Sequence, residues 1–111
     1  KLVDVAPSGY AKNLCDGIIR ARYRESLREA KLLESGTIYE YTIAVGVTGN
    51  VFKKDHRIRV DISSSNFPRF DRNPNTGNDY GLDDEMRTAH QTVYQSKAYP
   101  SHILLPVIPG H

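Results

Sequence analysis

Two alternating stretches decide the fold: YEYTIAVGV at residues 39–47 and RIRVDI at residues 57–62. In each stretch every second residue is large and apolar, and the residues between are polar or small. A two-residue period places the apolar side chains on one face of an extended chain. Both stretches therefore predict half-buried β-strands, separated by turn residues at 48–50 and 53–55.

Shorter strand patterns lie outward from these two stretches. LVDV at residues 2–5 predicts a strand that the turn residues APSG at 6–9 end, and further strands are predicted at residues 18–23, 92–94 and 103–105. Only residues 24–34 carry a partial helical stripe, which fits a short turn of helix or an ordered loop equally well. Residues 64–85 form a long polar connection, of a length that is usually functional or structurally fixed. Short strands between turns predict an all-β fold, a sandwich or barrel, in one domain over residues 1–111.

Composition narrows the class of protein. The 111 residues fit one domain, with 39% hydrophobic and 25% charged residues, as in a folded globular chain. No apolar run is long enough to cross a bilayer, so no membrane partner is expected. The formal charge of +2 is too small to indicate a polyanionic partner. A single cysteine, Cys15, excludes an internal disulfide and a multi-cysteine zinc site, and fits a reducing, cytoplasmic compartment.

Catalytic signals are absent from the sequence. No histidine pair has metal-ligand spacing, and the four histidines are predicted to be surface or hydrogen-bonded structural groups: His56, His90, His102 and His111. No serine has the glycine neighbours of a nucleophile elbow. Cys15 precedes Asp16, whose charge would raise the thiol pKa, so a half-buried structural thiol is expected. We therefore expect no catalytic residue, cofactor or metal in this chain.

Two charged clusters have alternative interpretations. Residues 53–59, KKDHRIR, are basic but lack the interleaved aromatics of a nucleic-acid surface, so a solvated or interface face is favoured and no nucleic acid is expected. The acidic and amide residues at 71–84 could suggest calcium. Their spacing does not match an EF-hand loop, and such residues also form turns, which is the favoured interpretation.

Several motifs resemble those of the CocE/NonD serine hydrolases, in the C-terminal domain of the X-Pro dipeptidyl-peptidase type. They are SSSNFPRFDRN at residues 63–73 with NTG at 75–77, LVDV with Pro7 and Gly9, DGIIRARYR at 16–24, FKK with HRIR at 52–59, and PS at 100–101 followed by LPV at 105–107. The resemblance extends over nearly the whole chain. It departs from the family pattern at Asp55, where a glycine is common, and at Ser8, where an acid is common.

The resemblance implies a jelly-roll β-sandwich similar to galactose-binding domains, and incomplete on its N-terminal side. It implies an upstream α/β-hydrolase domain that carries the Ser-Asp-His triad, since no position of this chain matches a triad residue. The chain would be a non-catalytic segment that packs on the hydrolase and helps to shape its substrate cleft and assembly. Because an incomplete sandwich leaves an unpaired edge, strand completion by another chain or self-association is expected.

The resemblance also directs attention to the long polar connection. Docking onto the hydrolase is assigned to Asn66, Phe67, Pro68, Arg69, Asp71 and Arg72, where the aromatic ring offers an apolar anchor and the guanidinium groups offer planar donors. In the alternative, this loop only closes one end of the sandwich, and its side chains form hydrogen bonds to its own backbone.

A second hypothesis for the function is a free-standing carbohydrate-binding sandwich that stacks sugars on Tyr39, Tyr41, Tyr80 and Tyr94, although alternation favours the first two as core residues. A third, a small independent hydrolase, predicts ester turnover that one serine mutation abolishes, and we expect none.

Overall fold

The computed structural model describes residues 1–79 and 81–110, and its regular structure is almost entirely β. Strand β1 spans Leu2–Val5, β2 spans Ala11–Cys15 and β3 spans Arg57–Val60, and a single 3-10 turn lies at Ala21–Tyr23. The strands form one antiparallel sheet in the order β2-β1-β3. The predicted all-β class is confirmed. The described residues contain no helix long and apolar enough to cross a membrane.

A tight turn joins β1 to β2. The amide of Ala6 donates to the carbonyl of Tyr10 at 2.8 Å, and the amide of Gly9 donates to the carbonyl of Ala6 at 2.9 Å. Gly9 has a φ of +88°, a conformation that costs glycine little. Ser8 Oγ accepts from the amide of Tyr10 at 3.4 Å, so this hydroxyl stabilises the turn.

The opposite edge of β1 pairs with β3. Leu2 lies opposite Val60 and Val5 opposite Arg57, and the amide of Asp61 extends the ladder to the carbonyl of Lys1 at 2.9 Å. The turn before β3 places Asp55 at a φ of +65°, in the left-handed region. Aspartate tolerates this region better than most residues, so the turn forms at Asp55 without a glycine.

Burial is concentrated in the central strand. Leu2 and Val3 are the buried apolar side chains in the part of the chain that the structure describes, and Asp4 is buried beside them. The residues of β3 are exposed along their whole length. The sheet therefore holds a small core on β1 and presents much apolar surface elsewhere.

Several predicted strands are not strands in the structure. Residues 18–23 end in the 3-10 turn, residues 24–34 form bends without a helix, and residues 39–47 run outside the ladders. Residues 92–94 and 103–105 also lie outside strands, and Gln95 and Pro100 form an isolated bridge. The alternating pattern indicates which face of a segment is apolar, but a strand also needs a neighbour to pair with.

The described chain divides into two compact units, Lys1–Asn73 and Pro74–His111. The sheet belongs to the first unit. The second is held by local contacts: the amide of Arg87 donates to the carbonyl of Pro74 at 2.8 Å, and the rings of Tyr94 and Tyr99 lie 5.3 Å apart at 53°.

Candidate docking site

An ion pair connects the predicted docking motif to the first unit's sheet region. Arg69 Nη1 donates to Asp16 Oδ1 at 2.6 Å and to Oδ2 at 2.7 Å, and Asn66 Nδ2 donates to Asp16 Oδ2 at 3.3 Å. The Asp16 carboxylate directly follows β2 and is almost fully buried, while most of the Arg69 side chain is exposed. Asp16 therefore fixes the start of the loop at residues 66–72, called here the Phe67 loop.

The Phe67 loop has its own internal contacts. The amide of Phe70 donates to the carbonyl of Asn66 at 3.2 Å, and the guanidinium carbon of Arg69 lies 5.5 Å from the centroid of the Phe70 ring. The amide of Phe67 donates to Ser65 Oγ at 3.4 Å, and the Phe67–Pro68 peptide is cis. These contacts hold the loop in one path across the surface.

The structure separates the six predicted docking residues into two groups. Asn66 and Arg69 turn toward Asp16, within the chain, and Phe70 beside them is half-buried. Phe67 is 63% exposed, and the other predicted docking residues also face solvent: Pro68, Asp71 and Arg72. The sequence prediction did not include Asp16, which lies 50 residues before Asn66 in the chain.

A second polar cluster lies at the centre of the sheet. His56 Nδ1 lies 2.7 Å from Asp4 Oδ1, and Asn50 Nδ2 donates to Asp4 Oδ2 at 3.1 Å. Because a carboxylate only accepts, Nδ1 of His56 carries the proton in this bond. The His56 hydrogen bond lowers the pKa of the Asp4 carboxyl, the Asn50 hydrogen bond and nearby positive charge lower it further, and burial opposes them.

The Asp4–His56 pair has the acid and base of a hydrolytic relay without its nucleophile. The pair borders a cavity of about 190 Å³ lined also by Tyr10, Lys12 and Lys53. Within the described residues, no serine, threonine or cysteine lines this cavity or forms a hydrogen bond with His56. The pair connects β1 to the turn that precedes β3, which is the structural role expected for an isolated histidine.

Other residues singled out in the sequence have local partners. His102 Nδ1 contacts the carbonyl of Pro100 at 2.7 Å, and Cys15 is half-buried and free. Asp83 accepts from Thr76 and from Asn78, so it supports a turn, and the Thr76 hydrogen bond lowers its pKa. Within residues 1–79 and 81–110 no cluster of three or more potential metal ligands is found. His111 lies outside the described residues.

The tyrosines proposed for sugar stacking are differently placed. The Arg24 guanidinium covers the half-buried Tyr39 ring at 4.5 Å, and Tyr94 packs against Tyr99. Tyr41 is partly exposed rather than in a core, and burial raises its pKa. Tyr80 lies outside the described residues.

Comparison with known proteins decides the family. Residues 1–104 match the X-Pro dipeptidyl-peptidase C-terminal non-catalytic domain. The chain belongs to this family. It is also 52% identical over 110 residues to the cocaine esterase of Rhodococcus sp. (strain MB1 Bresler). That alignment covers 97% of this chain and 19% of the esterase, so the chain spans about a fifth of its relative's length. No solved structure matches the chain.

Proposed function

We propose that this chain is the non-catalytic C-terminal part of a CocE/NonD-type serine hydrolase that acts on esters or amides. It packs on an α/β-hydrolase domain of the same polypeptide and helps to shape the substrate cleft and the assembly. The match of residues 1–104 to a non-catalytic domain family carries this proposal. The small share of the related esterase that the chain covers supports it, because most of a comparable protein is left to hold the catalytic machinery.

The surface of the chain also supports the proposal. The chain exposes 10020 Å² of accessible surface. Two independent compact bodies of about 8 and 4 kDa, the approximate sizes of its units, would together expose about 7,100 Å². The chain therefore exposes more surface than two compact bodies would. Many large apolar side chains contribute to this surface, and Val47, for example, is 99% exposed. Apolar surface of this extent is typical of an interaction face.

We further propose that the domain is one jelly-roll sandwich over residues 1–111, completed by strands of the parent polypeptide or of another chain. The outer edges of β2 and β3 have no hydrogen-bonded strand beside them in the described part of the chain. The extended segment at 39–47 is likewise not assigned to any strand ladder within the described residues. Unpaired edges and apolar faces are the features that added strands would cover.

Docking is assigned to the outward side of the Phe67 loop. Phe67 supplies an aromatic anchor for an apolar pocket of the hydrolase domain, and Arg72 supplies a planar donor beside it. Asn66 and Arg69 act from within, because their bonds to Asp16 fix the loop before a partner arrives. Pre-ordering of this kind lowers the entropy cost of association.

The test uses the full-length protein that contains residues 1–111. Full-length protein is expected to hydrolyse p-nitrophenyl esters, and the isolated chain is expected to be inactive. Phe67→Ser is expected to weaken docking by about 2 kcal/mol, as loss of an aromatic anchor does, measured as the urea concentration at which a protease first releases this domain. Arg72→Ala should act in the same direction with a smaller effect.

Matched controls separate docking from general surface effects. Met86→Ser removes an apolar side chain that is 62% exposed, close to the value for Phe67, and Lys97→Ala removes an exposed cation; both should leave domain release unchanged. If Phe67→Ser and Arg72→Ala behave like these controls, the loop only closes the sandwich. Glycan binding by the chain without any hydrolysis by the full-length protein would instead favour the carbohydrate-binding alternative.

A further inference from the structure

Arg24 organises a loop that contains no regular secondary structure. Its Nη1 donates to the carbonyl of Ala21 at 3.0 Å and to the carbonyl of Lys31 at 2.7 Å. Its guanidinium lies over the Tyr39 ring at 4.5 Å, and only 10% of its side chain is exposed. One nearly buried side chain thus joins the two ends and the middle of residues 25–36, called here the Arg24 loop.

Further bonds fix the Arg24 loop along its length. The amide of Lys31 donates to the carbonyl of Arg22 at 2.7 Å, and the amide of Glu34 donates to the hydroxyl of Tyr39 at 2.9 Å. Ser26 Oγ accepts from two amides, and Lys31 forms an ion pair with Glu25. A connection this closely bonded has already lost much of the conformational freedom that binding would otherwise remove.

The Arg24 loop presents leucines to solvent. Leu27 is 91% exposed, and Leu32 and Leu33 are also exposed within the same loop. Charged residues flank these leucines in the sequence, including Glu25, Arg28 and Glu29. Exposed apolar side chains interspersed with charged ones are typical of a protein interface, whereas a loop that only connects elements is usually polar throughout.

We propose that the Arg24 loop is a docking surface for an apolar pocket in the part of the same polypeptide outside residues 1–111. This inference rests on the proposed function and adds a contact separate from the Phe67 loop. The occupant follows from chain length, since the related esterase is about five times longer than its aligned segment. A covalently attached body meets a pre-ordered surface at high effective concentration. Arg24 is the positioning residue, and Leu27 and Leu33 are the contacting residues.

Carbene footprinting of the full-length protein tests the proposal directly. The peptide containing residues 25–36 is labelled in the native protein and again after unfolding in urea. We expect native labelling at least about threefold lower, as for side chains in the centre of an interface. Equal labelling in both states overturns the proposal. Protection that disappears on dilution identifies a second copy as the occupant and also overturns it.

Ester hydrolysis, assayed on the same sample, distinguishes this inference from the function on which it rests. An active enzyme with a fully labelled Arg24 loop overturns the inference and leaves the proposed function standing. A protein without hydrolase activity, whose loop is nevertheless protected, overturns the proposed function and retains the docking surface.

Variants extend the test to named side chains. The double variant Leu27→Ser with Leu33→Ser is expected to raise the rate of proteolysis within residues 25–36 about tenfold, because a contact that excluded the protease is lost. Leu82→Ser, at a leucine that is 78% exposed and lies outside the loop, should leave that rate unchanged. Arg24→Lys keeps the charge but not the planar fork, so loop labelling should rise while the leucines remain. A wild-type proteolysis rate in the leucine double variant, together with wild-type labelling in Arg24→Lys, contradicts the proposal.

Discussion

Asp4 shows how one buried charge is accommodated in a small sheet. It is 7% exposed, on the central strand, and its two carboxylate oxygens receive bonds from His56 and Asn50. Burying a carboxylate without hydrogen-bond donors would cost free energy, and the hydrogen bonds from these two side chains offset that cost. Both donors come from the segment between the extended stretch at 39–47 and β3, which ties that segment to β1.

The Asp4 cluster predicts acid-dependent stability. Because the His56 hydrogen bond lowers the folded-state pKa of Asp4, its contribution is fully present above the unfolded pKa of about 3.9 and is lost as pH falls through the folded value. Urea unfolding of the chain, followed by circular dichroism between neutral and acid pH, should show this loss.

Asp4→Asn is the matched variant for this prediction. It should be less stable than wild type at neutral pH, and the difference should shrink in acid, where the wild-type carboxyl is protonated and resembles an amide. Glu25 and Asp83, whose pKa values are also lowered, titrate in both proteins and cancel in the comparison. A stability difference that stays constant with pH would show that Asp4 acts only through its shape.

At the scale of elements, Gly17 permits a close approach, called here the crossing, between the backbone after β2 and the backbone at Ala44. A Cβ added there would overlap the carbonyl oxygen of Ala44 and lie 2.9 Å from its carbonyl carbon. The segment after β2 and the stretch at 39–47 therefore approach each other more closely than any side chain permits. The glycine thus allows the extended stretch to lie close to the end of β2 although the two form no hydrogen-bonded ladder.

Gly17→Ala should destabilise the first unit by about 2 kcal/mol, because the clash involves backbone and not a flexible side chain. Gly49→Ala is the matched control, since nothing lies within 4 Å of a Cβ at that position. It should be neutral, or stabilising by up to about 1 kcal/mol through the unfolded chain. Urea midpoints of the two variants provide the measurement, and equal midpoints would show that the crossing opens without cost.

Local chemistry determines which elements were predictable from sequence. β3 was predicted from its apolar alternation and β1 from a short apolar run that turn residues end. The segment AKNLC at residues 11–15 lacks β-branched residues, and β2 was missed. The stretch at 39–47 carries the clearest alternation and is not a strand, since its pattern contains no information about a partner.

The residues of the candidate site were also predictable only where they are close together in the sequence. The motif placed Asn66, Phe67 and Arg69 together, because they are neighbours in sequence. Asp16, which binds two of them, lies 50 residues before Asn66. Likewise, nothing in the spacing of Asp4 and His56 indicates that they meet. Tertiary contacts over such distances depend on the sheet order, which no local pattern encodes.

At the scale of the whole molecule, the exposed β3 edge should make the isolated chain associate. β3 has no strand on its outer side in the described residues, and its apolar side chains, including Ile58, are exposed. An edge of this kind pairs with another chain, and a lysine on it opposes such pairing. Sedimentation velocity at micromolar concentration should therefore show oligomers for the wild-type chain and a shift toward monomer for Ile58→Lys.

Met86→Lys is the matched control, because it adds the same charge at an apolar position of similar exposure outside β3. If solubility alone governed association, the two lysine variants would shift the oligomer distribution equally. If edge pairing governs association, only Ile58→Lys will shift that distribution toward monomer. The full-length protein should lack this form of association, since the proposed sandwich covers the edge. A monodisperse wild-type chain that retains its sheet under these conditions would mean that the edge needs no partner, and would remove the physical reason for strand completion.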